Sequence, residues 1–114
     1  MASRVSRGEV GRGILVCGTG MGMAIIANKF PGVYAAVCEN RTAAERARSI
    51  NNSNVLTLGG FVTPPEEAKE IVEAWLMTEF PPDGIRLSRS SCTTPWETSS
   101  LSSNPIWACP AEGV

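Results

Sequence analysis

A chain of 114 residues holds one modest domain and is too short for two ordinary ones. With 43% hydrophobic residues, 18% charged residues and a net charge of -1, it has no basic footprint for nucleic acid or an anionic membrane surface. No run approaches the roughly 18 apolar residues that cross a bilayer, and the opening MASRVSRGEVGRG lacks the apolar stretch of a secretion signal. The expectation is therefore a cytoplasmic protein with neither a membrane nor a nucleic-acid partner. Cys17, Cys38, Cys92 and Cys109 are spaced too unevenly for a zinc ribbon or a dense disulfide framework, so reduced thiols are expected. Histidine is absent, which removes the commonest general acid/base and a favoured metal ligand. Neither a metal nor a cofactor is expected.

From residue 13 to residue 77 the apolar runs "ILVC", "VYAAVC" and "NVLTL" alternate with stretches of helical character. A βαβαβα alternation predicts an α/β fold, a parallel sheet covered by helices on both faces in three layers. After "ILVC" the next helix is predicted to begin near Gly22. The helix after "VYAAVC" has a capping-box pattern in Thr42 and Glu45. The last helix repeats it in Thr63 and Glu66, with Pro64 at the first helical position. Ala68, Ile71, Val72, Trp75 and Leu76 then fall on one helical face and are read as core. Residues 1–80 are thus expected to form the domain. Residues 81–114 are dense in Ser, Thr and Pro, show no period, and are read as a disordered tail in which Trp96 and Trp107 are the only anchors on offer to a partner.

The informative stretch is GILVCGTGMGMAIIANK, residues 13–29. Its strand delivers Cys17 to the carboxyl edge of the sheet, where open α/β folds place their ligands. Gly18, Gly20 and Gly22 let backbone approach a ligand closely, and the free N–H groups at the following helix start favour an anion there. The same amides favour a thiolate at Cys17, making it a better base than a buried cysteine. Locally, a small buried strand residue followed by a tight turn fits equally well. Three familiar glycine loops fit worse. A dinucleotide fingerprint needs a glycine where Met23 stands, although Glu39 occupies the place of a ribose-binding acid. No Gly-Lys-Ser/Thr closes a phosphate-binding P-loop, and a cysteine-phosphatase loop would need arginine at Met23.

GILVCGTGMGMAIIANKFPGVYAAVC, together with ARSINNSNVLTLGG and AKEIVEAWL, closely resembles the ribose-5-phosphate isomerase B and galactose-6-phosphate isomerase family from about Val5 to Phe80. Plant DNA-damage-toleration proteins carrying this domain resemble it most. The resemblance implies a Rossmann-like fold, of which this chain carries the βαβαβα half. It also implies aldose–ketose isomerisation of a phosphorylated sugar through an enediolate, in a homodimer or hetero-oligomer whose sites are completed across the subunit boundary. On this chain it makes Cys17 the proton-transferring base and the N–H groups of Gly18, Thr19, Gly20, Met21 and Gly22 the oxyanion hole. The Thr19 hydroxyl then lies near the reacting oxygens, and Asn51 contacts substrate. Asn51 equally suits a helix-end residue bonding its own backbone.

The departures from the family pattern bear on activity. Ile50 stands where the family has a histidine, and Phe61 where it often has an arginine for the phosphate. The family's amino-terminal Asp-His strand and loop have no counterpart, so the chain is expected to be a truncated member that starts in mid-fold. Arg86 and Arg89 are the candidates to take over phosphate binding. Two functions follow from the resemblance, a sugar-phosphate isomerase of weak activity or a non-catalytic remnant that binds a sugar phosphate or a related subunit.

Overall fold

The computed structural model describes residues 1–82; the Ser/Thr/Pro-rich stretch, with Arg86, Arg89, Cys92, Trp96, Cys109 and Trp107, lies outside the described residues. Seven elements follow one another: α1 (Ala2–Ser6), β1 (Gly13–Cys17), α2 (Met21–Ala27), β2 (Ala35–Val37), α3 (Arg41–Ser49), β3 (Val55–Gly59) and α4 (Pro65–Met77). The α/β alternation is as the sequence predicts. The three strands form one parallel sheet in the order β1-β3-β2.

Register places Gly13 opposite Val55 and Cys17 opposite Gly59, while Ala35 also pairs with Val55. All three strands therefore end on one edge of the sheet. Because side chains alternate across a strand, β3 feeds both layers. Val55 joins Ala2, Val5, Ala27 and Val33 under α1 and α2. Leu56 and Leu58 join Ile71, Ala74, Trp75, Ala44 and Ala47 under α3 and α4 on the other face. β3 is buried along its whole length, as the central strand of a three-layer sandwich must be. β1 and β2 are the edges.

Both predicted capping boxes are displaced. Asn40, not Thr42, caps α3, its Oδ1 accepting from the Ala43 N–H at 2.8 Å. An extended Asn40 backbone (φ -152°) aims the amide at the free N–H groups, and Thr42 already lies inside the helix. At α4 the helix starts one residue late. Pro65 takes the first position, Pro64 is the cap residue without a side-chain bond, and Thr63 is instead buried at the end of the preceding turn, its N–H on the Gly59 carbonyl. α2 begins at Met21, beside the expected Gly22. Of the residues read as α4 core, Ile71 and Trp75 are buried, Ala68 and Val72 are half-buried, and Leu76 is 45% exposed, with no cover on that flank of the helix among the described residues.

The amino edge of the sheet is closed by a polar network. Trp75, fully buried, donates its indole N–H to Ser53 Oγ at 2.7 Å. Arg48, also buried, donates to Asn52 Oδ1 at 3.0 Å and to the carbonyls of Ser53 and Thr78. Arg12 bonds the Leu76 carbonyl at 2.9 Å, and the two guanidinium groups lie 5.7 and 5.9 Å from the Trp75 ring. Burial, with Arg12 nearby, lowers the Arg48 pKa from its ordinary value. Arginines at the last carbonyls of α4 take up groups the helix leaves unpaired.

Candidate active site: the Cys17 loop

At the opposite, carboxyl edge the chain leaves β1 at Cys17 and turns through Gly18, Thr19 and Gly20 into α2. The turn works because Gly20 adopts φ +82°, a left-handed conformation that glycine takes at no steric cost, and because a Cβ there would lie 3.0 Å from the Leu58 carbonyl carbon. The thiol folds back over the loop. Cys17 Sγ accepts the Gly20 N–H at 3.1 Å, and Thr19 Oγ1 accepts the Met21 N–H at 3.3 Å.

These amides set the thiol's acidity. The Cys17 pKa is held below its ordinary value, chiefly by the Met23 N–H, with the Gly20, Thr19 and Gly22 N–H groups assisting and partial burial opposing. Donors converging on one sulfur favour its anion, as they would an oxyanion bound beside it. Cys38, just past β2 and 1% exposed, is the contrast: desolvation pushes its thiol up to about 11.

Gly59, which ends β3, and Gly60 and Phe61 of the turn after it complete the loop, and none of the three is among the site residues expected from sequence. Gly59 lies directly under the loop, where a Cβ would stand 2.6 Å from the Thr19 carbonyl carbon, so backbone packs on backbone. The Gly60 N–H bonds the Cys17 carbonyl at 2.7 Å and the Phe61 N–H bonds the Gly18 carbonyl at 2.9 Å. The Phe61 ring, 93% exposed, edges the loop, 3.0 Å from where a Gly18 Cβ would be. The Gly-Gly pair ending "NVLTLGG" is the signal in the sequence, since paired glycines after a strand mark close backbone approach.

The predicted site residues thus divide. Cys17, Gly18, Thr19, Gly20, Met21 and Gly22 come together. Asn51 does not: it is exposed in the turn between α3 and β3, at the amino edge, at least the length of a strand (about 13 Å at ~3.3 Å per residue) from the thiol within one chain. Two other asparagines of the motif-bearing segments hold the frame. Asn28 pins the end of α2 to Ala35 through its N–H and carbonyl, at 2.7 and 3.0 Å, and Asn54 spans the Tyr34 N–H and the Gly32 carbonyl, both at 2.8 Å. Among the described residues no cluster of acidic or cysteine side chains is arranged to hold a metal ion, and no helix is long and apolar enough to cross a membrane.

A parallel three-layer sheet with a cysteine–glycine loop at its carboxyl edge places the chain among small α/β proteins, and comparison with known proteins narrows the class. The model of the Ribose/Galactose Isomerase family matches residues 1–91, and the chain belongs to that family of sugar-phosphate isomerases. The chain is 53% identical over 79 residues to the 4-deoxy-4-sulfo-D-erythrose isomerase of Clostridium sp. (strain MSTE9), 69% of this chain and 50% of that one. It is 55% identical over 78 residues to the DNA damage-repair/toleration protein DRT102 of Arabidopsis thaliana, 68% of this chain and 25% of that one. Ribose-5-phosphate isomerase B of Clostridium thermocellum superposes with a TM-score of 0.74 at 42% identity, over 79% of this chain and 62% of the other. The chain therefore spans half or less of the length of these two curated relatives.

Proposed function

We propose that this chain binds a phosphorylated sugar at the Cys17 loop and interconverts its aldose and ketose forms, with Cys17 as the base. In this reading the thiolate takes the proton from the carbon next to the carbonyl. The resulting enediolate oxygen is held by the N–H groups between Gly18 and Gly22, and the proton returns to the neighbouring carbon. The Thr19 hydroxyl lies beside the reacting oxygens. The observation carrying the reading is the set of amides on Cys17 Sγ, which lowers its pKa and supplies fixed donors where negative charge develops. Such preorganised donors are worth about 3–4 kcal/mol each in favourable cases.

Asn51 reaches this loop only from a second subunit, and the exposed Met21, Ile25 and Ile26 of α2, the helix that follows the thiol loop, are the apolar surface on which that subunit sits. Arg86 and Arg89 remain the candidates for the phosphate. Ring opening of a cyclic sugar has no histidine to assist it, since Ile50 occupies that place and the chain has none anywhere. General acid/base help is typically worth 10² to 10⁴-fold, so turnover of cyclic ribose 5-phosphate is expected to be weak. The missing histidine is also what favours the second reading, a sugar-phosphate-binding protein without catalysis.

A coupled assay with ribose 5-phosphate beside Cys17→Ala decides between them. Weak turnover abolished by the substitution supports the isomerase. Absent turnover with retained binding of a sugar-phosphate hydroxamate, an enediolate mimic, supports the binding protein. An ordinary rate on the order of 10 s⁻¹ would show that the missing acid is supplied after all, and loss of neither turnover nor binding in Cys17→Ala would end both readings.

A further inference from the structure

Two turns meet at the carboxyl edge, backbone against backbone. The first, residues 18–20, carries amides that face the Cys17 sulfur. The second follows β3 and is locked on itself, since the Gly59 carbonyl accepts both the Val62 N–H at 3.1 Å and the Thr63 N–H at 2.9 Å. A Cβ on Gly59 would strike the Thr19 backbone, and one on Gly20 would stand 3.0 Å from Leu58 and 3.3 Å from the Gly59 nitrogen, so no side chain comes between the turns. A trans peptide unit is planar, with its C=O and N–H pointing in opposite directions, and none of the described peptides is cis. Holding a carbonyl therefore aims the N–H on the other side of the same plane. The Gly60 N–H holds the Cys17 carbonyl at 2.7 Å, which directs the Gly18 N–H away from β3. The Phe61 N–H holds the Gly18 carbonyl at 2.9 Å, which directs the Thr19 N–H away from the second turn. The Thr19 N–H is among the amides that, with that of Met23 foremost, lower the Cys17 pKa.

We propose that Phe61 is a positioning residue of the Cys17 site through its main chain: its N–H, acting on the Gly18 carbonyl, holds the Thr19 N–H toward the sulfur and toward the oxyanion that forms beside it. The role at the oxyanion rests on the isomerase reading given above; the role at the sulfur rests on the two turns alone. The peptide joining Gly18 to Thr19 needs such a restraint, because Gly18 has no Cβ to hinder rotation of the plane. A swing of that plane would carry the Thr19 N–H off the sulfur and leave the Gly18 carbonyl, a repulsive dipole for any anion, in its place. With the carbonyl held by Phe61, the donor is in position before charge develops and needs no reorganisation when it does. The rigidity of the second turn is what the first turn borrows. The N–H of Phe61 and its ring, which is 93% exposed, are separable by substitution.

The test compares the full chain with three variants, each checked for folding by circular dichroism. Phe61→Pro deletes the N–H, and the preceding Gly60 lacks the Cβ on which a following proline would press. Phenyllactic acid at position 61 replaces the N–H by an ester oxygen and keeps the ring. Phe61→Ala keeps the N–H and removes the ring. The pH profile of iodoacetamide labelling, read at Cys17 by peptide mapping, is expected to move to higher pH in the two chains without the N–H. Their labelling near neutral pH should slow by roughly fivefold or more, and by less in Phe61→Ala. The same two chains are expected to bind a sugar-phosphate hydroxamate more weakly than Phe61→Ala does. The proposal is overturned if both keep the wild-type profile, or if Phe61→Ala shifts it as far as they do. Hydroxamate binding as tight in them as in Phe61→Ala would overturn the role at the oxyanion. A wild-type chain that binds no hydroxamate would end the sugar-phosphate reading and the oxyanion role with it, while the labelling profile still decides the role at the sulfur.

Discussion

The two edges of the sheet are built on opposite principles. At the amino edge, side chains close the structure: Trp75, Ser53 and Arg48 are buried and satisfy one another and the carbonyls of Ser53 and Thr78. At the carboxyl edge, backbone does the work, with glycines 20 and 59 removing side chains so that two turns touch: the second turn's N–H groups hold the carbonyls of Cys17 and Gly18, and those of the first turn face the Cys17 sulfur. Stability is concentrated where side chains fill space, and chemistry where they are left out. The contrast predicts that substitutions at the amino edge cost stability, whereas those at the carboxyl edge cost reactivity.

The largest effect should come from the closed edge. Trp75→Ala removes a fully buried ring, its bond to Ser53 and the surface on which two arginines rest, and is expected to cost about 3–5 kcal/mol in urea unfolding. Cys17→Ala, measured in the same way, should change stability by less than about 1 kcal/mol. Equal losses would erase the contrast between the edges.

At the open edge, Gly59→Ala drives a methyl group into the Thr19 backbone, and the loop has to move. Iodoacetamide labelling of Cys17 should slow by roughly tenfold or more as its amides separate from the sulfur. Labelling at the wild-type rate would mean that Gly59 only fills space.

The two cysteines sharpen the comparison within one edge. Near neutral pH, peptide mapping after brief alkylation should find Cys17 modified well before Cys38, whose thiol is buried and raised to about 11. Cys38 also carries a pH signature. Its folded pKa lies above the unfolded value of about 9, so its contribution to stability is intact below pH 9 and is lost as pH climbs from 9 toward 11. Cys38→Ser should flatten that alkaline decline; an unchanged decline would assign it to other groups.

The smallest effect concerns the helix starts. Asn40→Ala should cost about 1 kcal/mol and Thr42→Ala only a few tenths, since Asn40 alone caps Ala43. The reverse order would restore the capping box that the sequence pattern proposes.

Much of this was legible in the residues themselves. The alternation of "ILVC", "VYAAVC" and "NVLTL" with helical stretches determined the α/β class, because strand and helix periods are local. The crowding of glycines after Cys17 determined that a thiol would meet backbone amides, because the turn needs a left-handed residue at Gly20 and brings the Gly20 N–H onto the sulfur. Capping boundaries slipped by one or two residues because Asn40 and Thr42, or Thr63 and Pro64, satisfy the same pattern and only backbone geometry chooses between them. Other features arise only when distant segments meet. β3 inserts between β1 and β2, which puts Gly59 under Thr19, Phe61 beside Gly18, and Asn51 at the far edge from Cys17. Leu76 shares the helical period of the α4 core yet stays exposed, since period specifies a face and only the neighbouring layer decides how much of that face is covered.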